Sequence, residues 1–279
     1  MNLPSVTAEN YFAPEIQMAY MGASQFKSFR KCEAAALAEA CGEYERPATT
    51  ALLVGSYVDA HFSGEMDRFC SEHPELFKRD GSLKSDYIKA DEIIHRLEED
   101  RLFSLLMSGR KQVIRTGFIA GVPFKIKIDS LLGPDEVSAI VSEFPETARV
   151  FGFGDGAIVD LKIMRDMEPI WSDEEHRYVN FVEAWGYDIQ GAIYQAVESH
   201  MLPFVLAVGT KENVPDFSAM SVSDGDLQAK LAEIEDAAPR YQAIKEGKIP
   251  PRSCGRCDWC RAHKRLTSII DYKEVGPVA

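Results

Sequence analysis

The chain has 279 residues, 46% of them hydrophobic and 27% charged, a balance ordinary for a globular protein that excludes a disordered or fibrous one. No apolar run is long enough to span a bilayer, and the start of the chain lacks a basic patch followed by an apolar stretch, so neither a membrane span nor secretion is expected. The formal net charge of −13 counts against an extended basic nucleic-acid surface and confines any positive potential to a groove.

Residues 1 to 20 carry proline and aromatic residues with weak periodicity and read as an irregular lead-in. Ser24 can cap a helix to about Glu43, where Phe26, Phe29, Cys32, Ala36 and Leu37 form an apolar stripe and Cys32 falls in mid-helix. A second helical pattern runs from Thr50 to Phe69 through Leu52, Leu53, Tyr57, Ala60 and His61, with Gly55 inside it. Residues 70 to 85 read as a loop, and Tyr87 to Ser108 as a long amphipathic helix. The period then changes to two. Val113 to Ala120 and Val122 to Leu132 are predicted strands around Gly121, with Phe124, Ile126 and Ile128 on one face and Lys125, Lys127 and Asp129 on the other. Residues 133 to 155 read as an excursion between core strands and 157 to 163 as a strand; 164 to 179 are polar and acidic. Asn180 can start a helix through about Ser199. Phe204 to Val208 and Phe217 to Val222 are predicted strands, Asp224 to Lys245 is a charged amphipathic helix, and a cysteine motif follows Pro250-Pro251. The expectation is a mixed α/β (α+β) core in a single domain over 1–279, with 1–110 mainly helical and 111–265 carrying the core and the cysteine motif.

Two groups of residues carry chemistry. Asp129 closes the run Phe124 to Asp129, and Asp160 and Lys162 share one face of the strand Ala157 to Lys162. There a carboxylate can hold a divalent cation while an ammonium orients water or a phosphate oxygen, which points to metal-dependent phosphodiester hydrolysis. The bland alternative is a capping aspartate and an exposed ion pair. The second group is Cys254, Cys257 and Cys260, three thiols in one short run near the C-terminus. Six cysteines in so long a chain are no disulfide scaffold, so a metal site in a reducing compartment, most simply the cytoplasm, is expected. Basic residues cluster at Arg110-Lys111, Lys125-Lys127, Arg252-Arg256-Arg261 and His263-Lys264-Arg265, and Tyr57, Trp171, Trp185 and Trp259 offer stacking surfaces or core packing.

The ordered set Asp129, Asp160-Leu161-Lys162 and Tyr187-Asp-Ile-Gln190-Gly-Ala-Ile-Tyr194 resembles the PD-(D/E)XK nuclease superfamily, in particular its RecB/RecE-like branch of phage recombination exonucleases. Residues 24 to 265 can be laid over that pattern. The resemblance implies a restriction-endonuclease-like mixed sheet flanked by helices, with an added N-terminal helical part. It implies that Asp129, Asp160 and the Leu161 carbonyl hold Mg²⁺ or Mn²⁺ and that Lys162 positions the attacking water. It also implies that Gln190 and Tyr194 organise the site from a neighbouring helix. At the first motif, Gly55-Ser-Tyr-Val-Asp59, an aspartate stands where many relatives have histidine, and Asp59 is still an acceptable hard-cation ligand. His61 lies on another side of the helix from Asp59. The branch implies 5′ to 3′ resection of duplex DNA, a single-strand annealing protein as partner and a homo-oligomeric ring. Cys32 with the three C-terminal cysteines also resembles the ligand order of iron-sulfur nucleases, implying a [4Fe-4S] cluster; zinc or no metal stays open. An iron-sulfur nuclease acting on single-stranded or branched ends, and an inactive DNA-end-binding partner, are the alternatives.

Overall fold

The period-two segments assemble into a five-stranded mixed sheet, seen in a computed structural model that describes residues 3–47, 49–152, 154–172, 176–198, 201–266, 268, 269 and 271. Helices come first: α1 (Pro14–Ala19), α2 (Ala23–Lys31), α3 (Glu33–Ala40), α4 (Thr50–Ser63), α5 (Met66–Glu72), α6 (Ser85–Glu98) and α7 (Arg101–Leu106). Strands β1 (Arg110–Ile119) and β2 (Val122–Leu132) form a hairpin, followed by α8 (Pro134–Glu143), α9 (Ala148–Phe151) and β3 (Ala157–Met164). A small hairpin of β4 (Ile170–Ser172) and β5 (Arg177–Val179) leads to α10 (Phe181–Trp185) and α11 (Tyr187–Glu198). Strands β6 (Phe204–Thr210) and β7 (Phe217–Val222), then α12 (Asp224–Lys245) and α13 (Asp258–Ala262), complete the described elements.

The sheet order is β1-β2-β3-β6-β7, with β3 and β6 parallel and the other neighbours antiparallel. Alternation along β3 and β6 sorts side chains to two faces. Ile158, Phe204, Leu206 and Val208 join the core built with α2, α11 and α12, whereas Val159, Leu161, Val205 and Ala207 join the one built with α4, α6 and α8. Both faces of the sheet are therefore covered, and the interior strand β6 is buried throughout. Asp160 and Lys162 have the parity of Ile158, so they stand on the α11 side. The expected fold, a mixed sheet flanked by helices with extra N-terminal helices, is the one observed.

Several long helices expected from periodicity are pairs. Cys32 is not in mid-helix: at φ −162° and ψ 108° it is the extended joint between α2 and α3. Its N–H still donates to the Ser28 carbonyl and its carbonyl accepts from Ala36, so the helical bonds close on either side of a break that periodicity cannot register. Gly64, at φ 77°, ends α4 and separates it from α5. The Asp100 carboxylate caps α7 by accepting from the Phe103 N–H at 2.8 Å, and Asn180 caps α10 by accepting from Glu183 at 2.9 Å. Gly186 divides α10 from α11; the expected helix end at Ser199 lies outside the described residues. The excursion at 133 to 155 contains α8 and α9, and the polar stretch after β3 contains the β4–β5 hairpin. Among the described residues no helix is long and apolar enough to cross a membrane.

Candidate active site

Strands β2 and β3 pair only over Ser130–Val159, Leu131–Ile158 and Leu132–Ala157. The next residues at this fork are Asp129 and Asp160, and both carboxylates occupy the wedge where the ladder stops. The Leu161 N–H donates to Asp129 Oδ2 at 2.9 Å, so the carboxylate takes up a backbone donor beyond the last paired residues. Gln190 Nε2 donates to Asp160 Oδ1 at 2.6 Å from α11. Asp160 is 1% exposed; its Oδ2 is paired with the Lys162 ammonium, which also donates to the Leu161 carbonyl at 3.2 Å. One turn on from Gln190, the Tyr194 hydroxyl donates to the Lys127 carbonyl at 2.9 Å and ties α11 to β2. Gly191 lets α11 lie this close: a Cβ there would stand 2.5 Å from Phe204 and 2.9 Å from Leu227.

The charges are strongly coupled. Burial, reinforced by Asp160, pushes the Asp129 carboxyl up to about 8 against the pull of Lys162. Burial also raises the Asp59 carboxyl, with Lys127 and Lys162 opposing. For Lys162 burial disfavours the ammonium, but Asp160 and Asp129 together outweigh it and hold the group protonated above the ordinary lysine range. Two crowded carboxylates, one with an oxygen held by the Lys162 ammonium, beside a backbone carbonyl form an all-oxygen donor set that suits a hard divalent cation.

These groups line a pocket of about 510 Å³ that includes Asp129, Asp160, Lys162, Gln190 and Tyr194. Asp59 is not in its lining. It lies on the neighbouring α4 and accepts from Gln112 Nε2 at 3.4 Å, while His61 pairs separately with Glu98 at 2.7 Å. The structure adds Tyr11 and Phe12 to the pocket, both from the lead-in that lacks any periodic signal. Lys27 of α2 is outside that lining but feels the charges of Lys162 and Asp160; burial, followed by Lys162, lowers its ammonium to about 8. None of Tyr57, Trp171, Trp185 and Trp259 lines this pocket, and the buried Tyr57 donates its hydroxyl to Asp91 at 2.9 Å.

A second centre lies where α3 meets the tail. The Sγ atoms of Cys32, Cys254, Cys257 and Cys260 all fall within 4.8 Å of one another, with Cys32 and Cys260 at 3.5 Å and Cys254 and Cys260 at 3.9 Å. This four-cysteine set can bind a metal. The Cys257 N–H donates to Cys254 Sγ at 3.3 Å, and its neighbours' hydrogen bonds, acting against burial, bring the Cys254 thiol down to about 6. The tail is latched by Glu33, which follows Cys32: its two oxygens accept from Arg240 at 2.7 and 2.8 Å, and one also accepts from the Arg252 N–H at 2.7 Å. Cys41 and Cys70 stand apart from this group.

Residues 22–139 and 153–263 match the family model described as a PDDEXK-like domain of unknown function, DUF3799. A crystal structure from Eubacterium rectale, of a protein described as a "Putative exonuclease", is similar at 36% identity with a TM-score of 0.85, covering 99% of this chain and 100% of that one. A crystal structure of SSO0001 aligns at 12% identity over 77% of this chain and 84% of that one, with a TM-score of 0.25, too low to show a shared fold. No curated protein sequence matches the chain.

Proposed function

The chain belongs to the PDDEXK-like family DUF3799, and from that premise we propose that it is a metal-dependent deoxyribonuclease with a four-cysteine centre, acting on single-stranded or branched DNA ends. The observation that carries this reading is the convergence of Asp129, Asp160, Lys162 and Gln190 at the β2–β3 fork, inside one pocket. Mg²⁺ or Mn²⁺ held by Asp129, Asp160 and the Leu161 carbonyl would polarise the scissile phosphate and lower the pKa of water. Lys162, whose ammonium Asp160 and Asp129 favour, orients the attacking water or a phosphate oxygen. Gln190 fixes one oxygen of Asp160 and leaves the other directed at Lys162. Tyr194 holds β2 in place through the Lys127 carbonyl, and Asp59 supports the site from α4 as a further candidate ligand.

The ligand order at the second centre, Cys32 before the Gly-containing helix and the other three after the sheet, supports an iron-sulfur cluster as in iron-sulfur nucleases. Zinc is the second reading, favoured by the sulfur spacing. A single tetrahedral zinc with Zn–S bonds of about 2.3 Å sets its sulfurs about 3.8 Å apart. A four-iron cube, in which each thiolate binds a different iron, needs them farther apart. Either group would be structural. Anaerobic purification separates the two: a brown protein absorbing near 400 nm supports iron-sulfur, whereas colourless protein with one zinc per chain rejects it.

The relative described as an exonuclease favours digestion from ends, and the phage-type resemblance narrows this to 5′ to 3′ resection of duplex DNA, with an annealing protein as partner and an oligomeric ring. DNA labelled separately at each 5′ and 3′ end, in single-stranded, flapped and duplex forms, tests both substrate and direction. Mn²⁺-dependent cleavage confined to single-stranded or flapped ends supports our reading, and stepwise loss from duplex 5′ ends supports resection. Equal DNA binding in EDTA and Mg²⁺ with no cleavage of any form would leave an inactive end-binding protein.

A further inference from the structure

The pocket has a lip that the hydrolytic residues do not use. Phe12 is 70% exposed yet lines the same cavity as Asp160 and Lys162, and it packs edge-on to Tyr11 with ring centroids 5.0 Å apart. The segment bearing it is anchored. Lys125 Nζ, itself buried, donates to the Tyr11 carbonyl, the Ala13 N–H donates to the Asn10 carbonyl at 2.9 Å, and Tyr20 Oη donates to the Pro4 carbonyl at 3.0 Å. The Phe12 ring is thus presented to solvent by a fixed turn. Beside it Lys127 Nζ lies 5.7 Å from the Phe12 centroid, and Lys125 Nζ lies 4.2 Å from that of Tyr11. Neither lysine makes an ion pair with a carboxylate among the described residues, although both line the pocket. An exposed flat apolar ring, the Lys127 ammonium without a paired carboxylate among the described residues and a carboxylate site in one cavity suit a ligand with a flat face and a phosphate.

We propose that Phe12 and Lys127, backed by Tyr11 and Lys125, form a subsite for one unpaired nucleotide, with its base stacked on Phe12 and its phosphate facing Lys127. The assignment rests on the reading of this pocket as a nuclease site and makes Phe12 its determinant for single strands. Within a duplex both faces of an internal base are covered by its neighbours, so only an unpaired or terminal base can offer a face to a side chain. The lead-in therefore selects loosened ends and delivers the adjoining phosphate toward Asp129 and Asp160.

The test is cleavage-independent binding of a labelled single strand of about 12 nucleotides to the full chain with Ca²⁺ in place of Mn²⁺. Phe12→Ala is expected to weaken binding by about 5- to 150-fold, the range that loss of one stacked base gives, while Phe12→Trp retains it. A strand of abasic sites should bind wild type and Phe12→Ala alike. Equal affinity of wild type and Phe12→Ala for the intact strand overturns the proposal, as does equal loss on the abasic strand. Cleavage of the intact strand in Mn²⁺ is read separately. Cleavage without Phe12-dependent binding sinks the subsite alone, and Phe12-dependent binding without cleavage sinks the nuclease reading alone.

Discussion

Asp160 is the residue on which the site turns, because one oxygen is committed to Gln190 and the other to the Lys162 ammonium. Gln190→Ala frees the first oxygen to rotate, and loss of such support around a metal ligand costs about 10- to 100-fold in metal affinity. The Mn²⁺ concentration for half-maximal cleavage should rise by that factor with little change in thermal midpoint; an unchanged metal requirement would remove Gln190 from the site. A separate buried charge sets a pH dependence. Lys245 is 6% exposed and donates to the Tyr20 carbonyl and Gln25, and burial together with Lys125 lowers its ammonium from 10.5 to about 7. The unfolded chain then binds more protons between pH 7 and 10.5, so this lysine's cost is full below pH 7 and fades as pH rises toward 10.5. In Lys245→Met the thermal midpoint relative to wild type should be most favourable at pH 7 and decline by pH 10. A difference that does not change with pH would contradict the assignment. At this scale Asp129, Asp160 and Lys162 were legible because period-two spacing reports facing. Phe12 and Lys27 were not, since their places depend on a lead-in and a helix docking far from them in sequence.

The elements that the sequence marks clearly are those bounded by an evident cap or turn, and one of them runs on through an interior proline, Pro239. The helix from Asp224 to Lys245, with Ser223 as its cap, and the strand Phe217 to Val222 run over the predicted residues. The breaks at Cys32, Gly64, Asp100 and Gly186 escaped the reading because the apolar stripe continues through them and each is made by one capping residue. The fork was invisible in the sequence, since where β2 leaves β3 is a property of pairing and not of either strand. Helix α11 is the element that carries Gln190 and Tyr194 into that fork, and Gly191 sets its distance from β6. Gly191→Ala drives a methyl into Phe204 and Leu227 and should cost about 1–3 kcal/mol in chemical denaturation, with cleavage falling further than stability requires. Unaltered stability would mean that α11 shifts freely.

Across the molecule the four cysteines join the first helices to the last, with Glu33 bridging Arg240 and Arg252. The three clustered thiols were legible from their spacing; Cys32 as the fourth came from a resemblance, and Glu33 gave no signal because its partners are over 200 residues away. Cys260→Ser should lower bound metal and the thermal midpoint together and open the segment after α12 to protease, because a group bound only by the folded state stabilises it by mass action. Retention of the midpoint after complete metal loss would make the centre dispensable for folding. If the β2–β3 fork hydrolyses DNA at its ends, digestion of end-labelled DNA in Mn²⁺ separates wild type from Lys162→Ala. Wild type should cleave single-stranded or flapped ends and the variant none above background at equal DNA binding; cleavage equal in both proteins, or absent from wild type on every DNA form, would show that the fork is not a hydrolytic site.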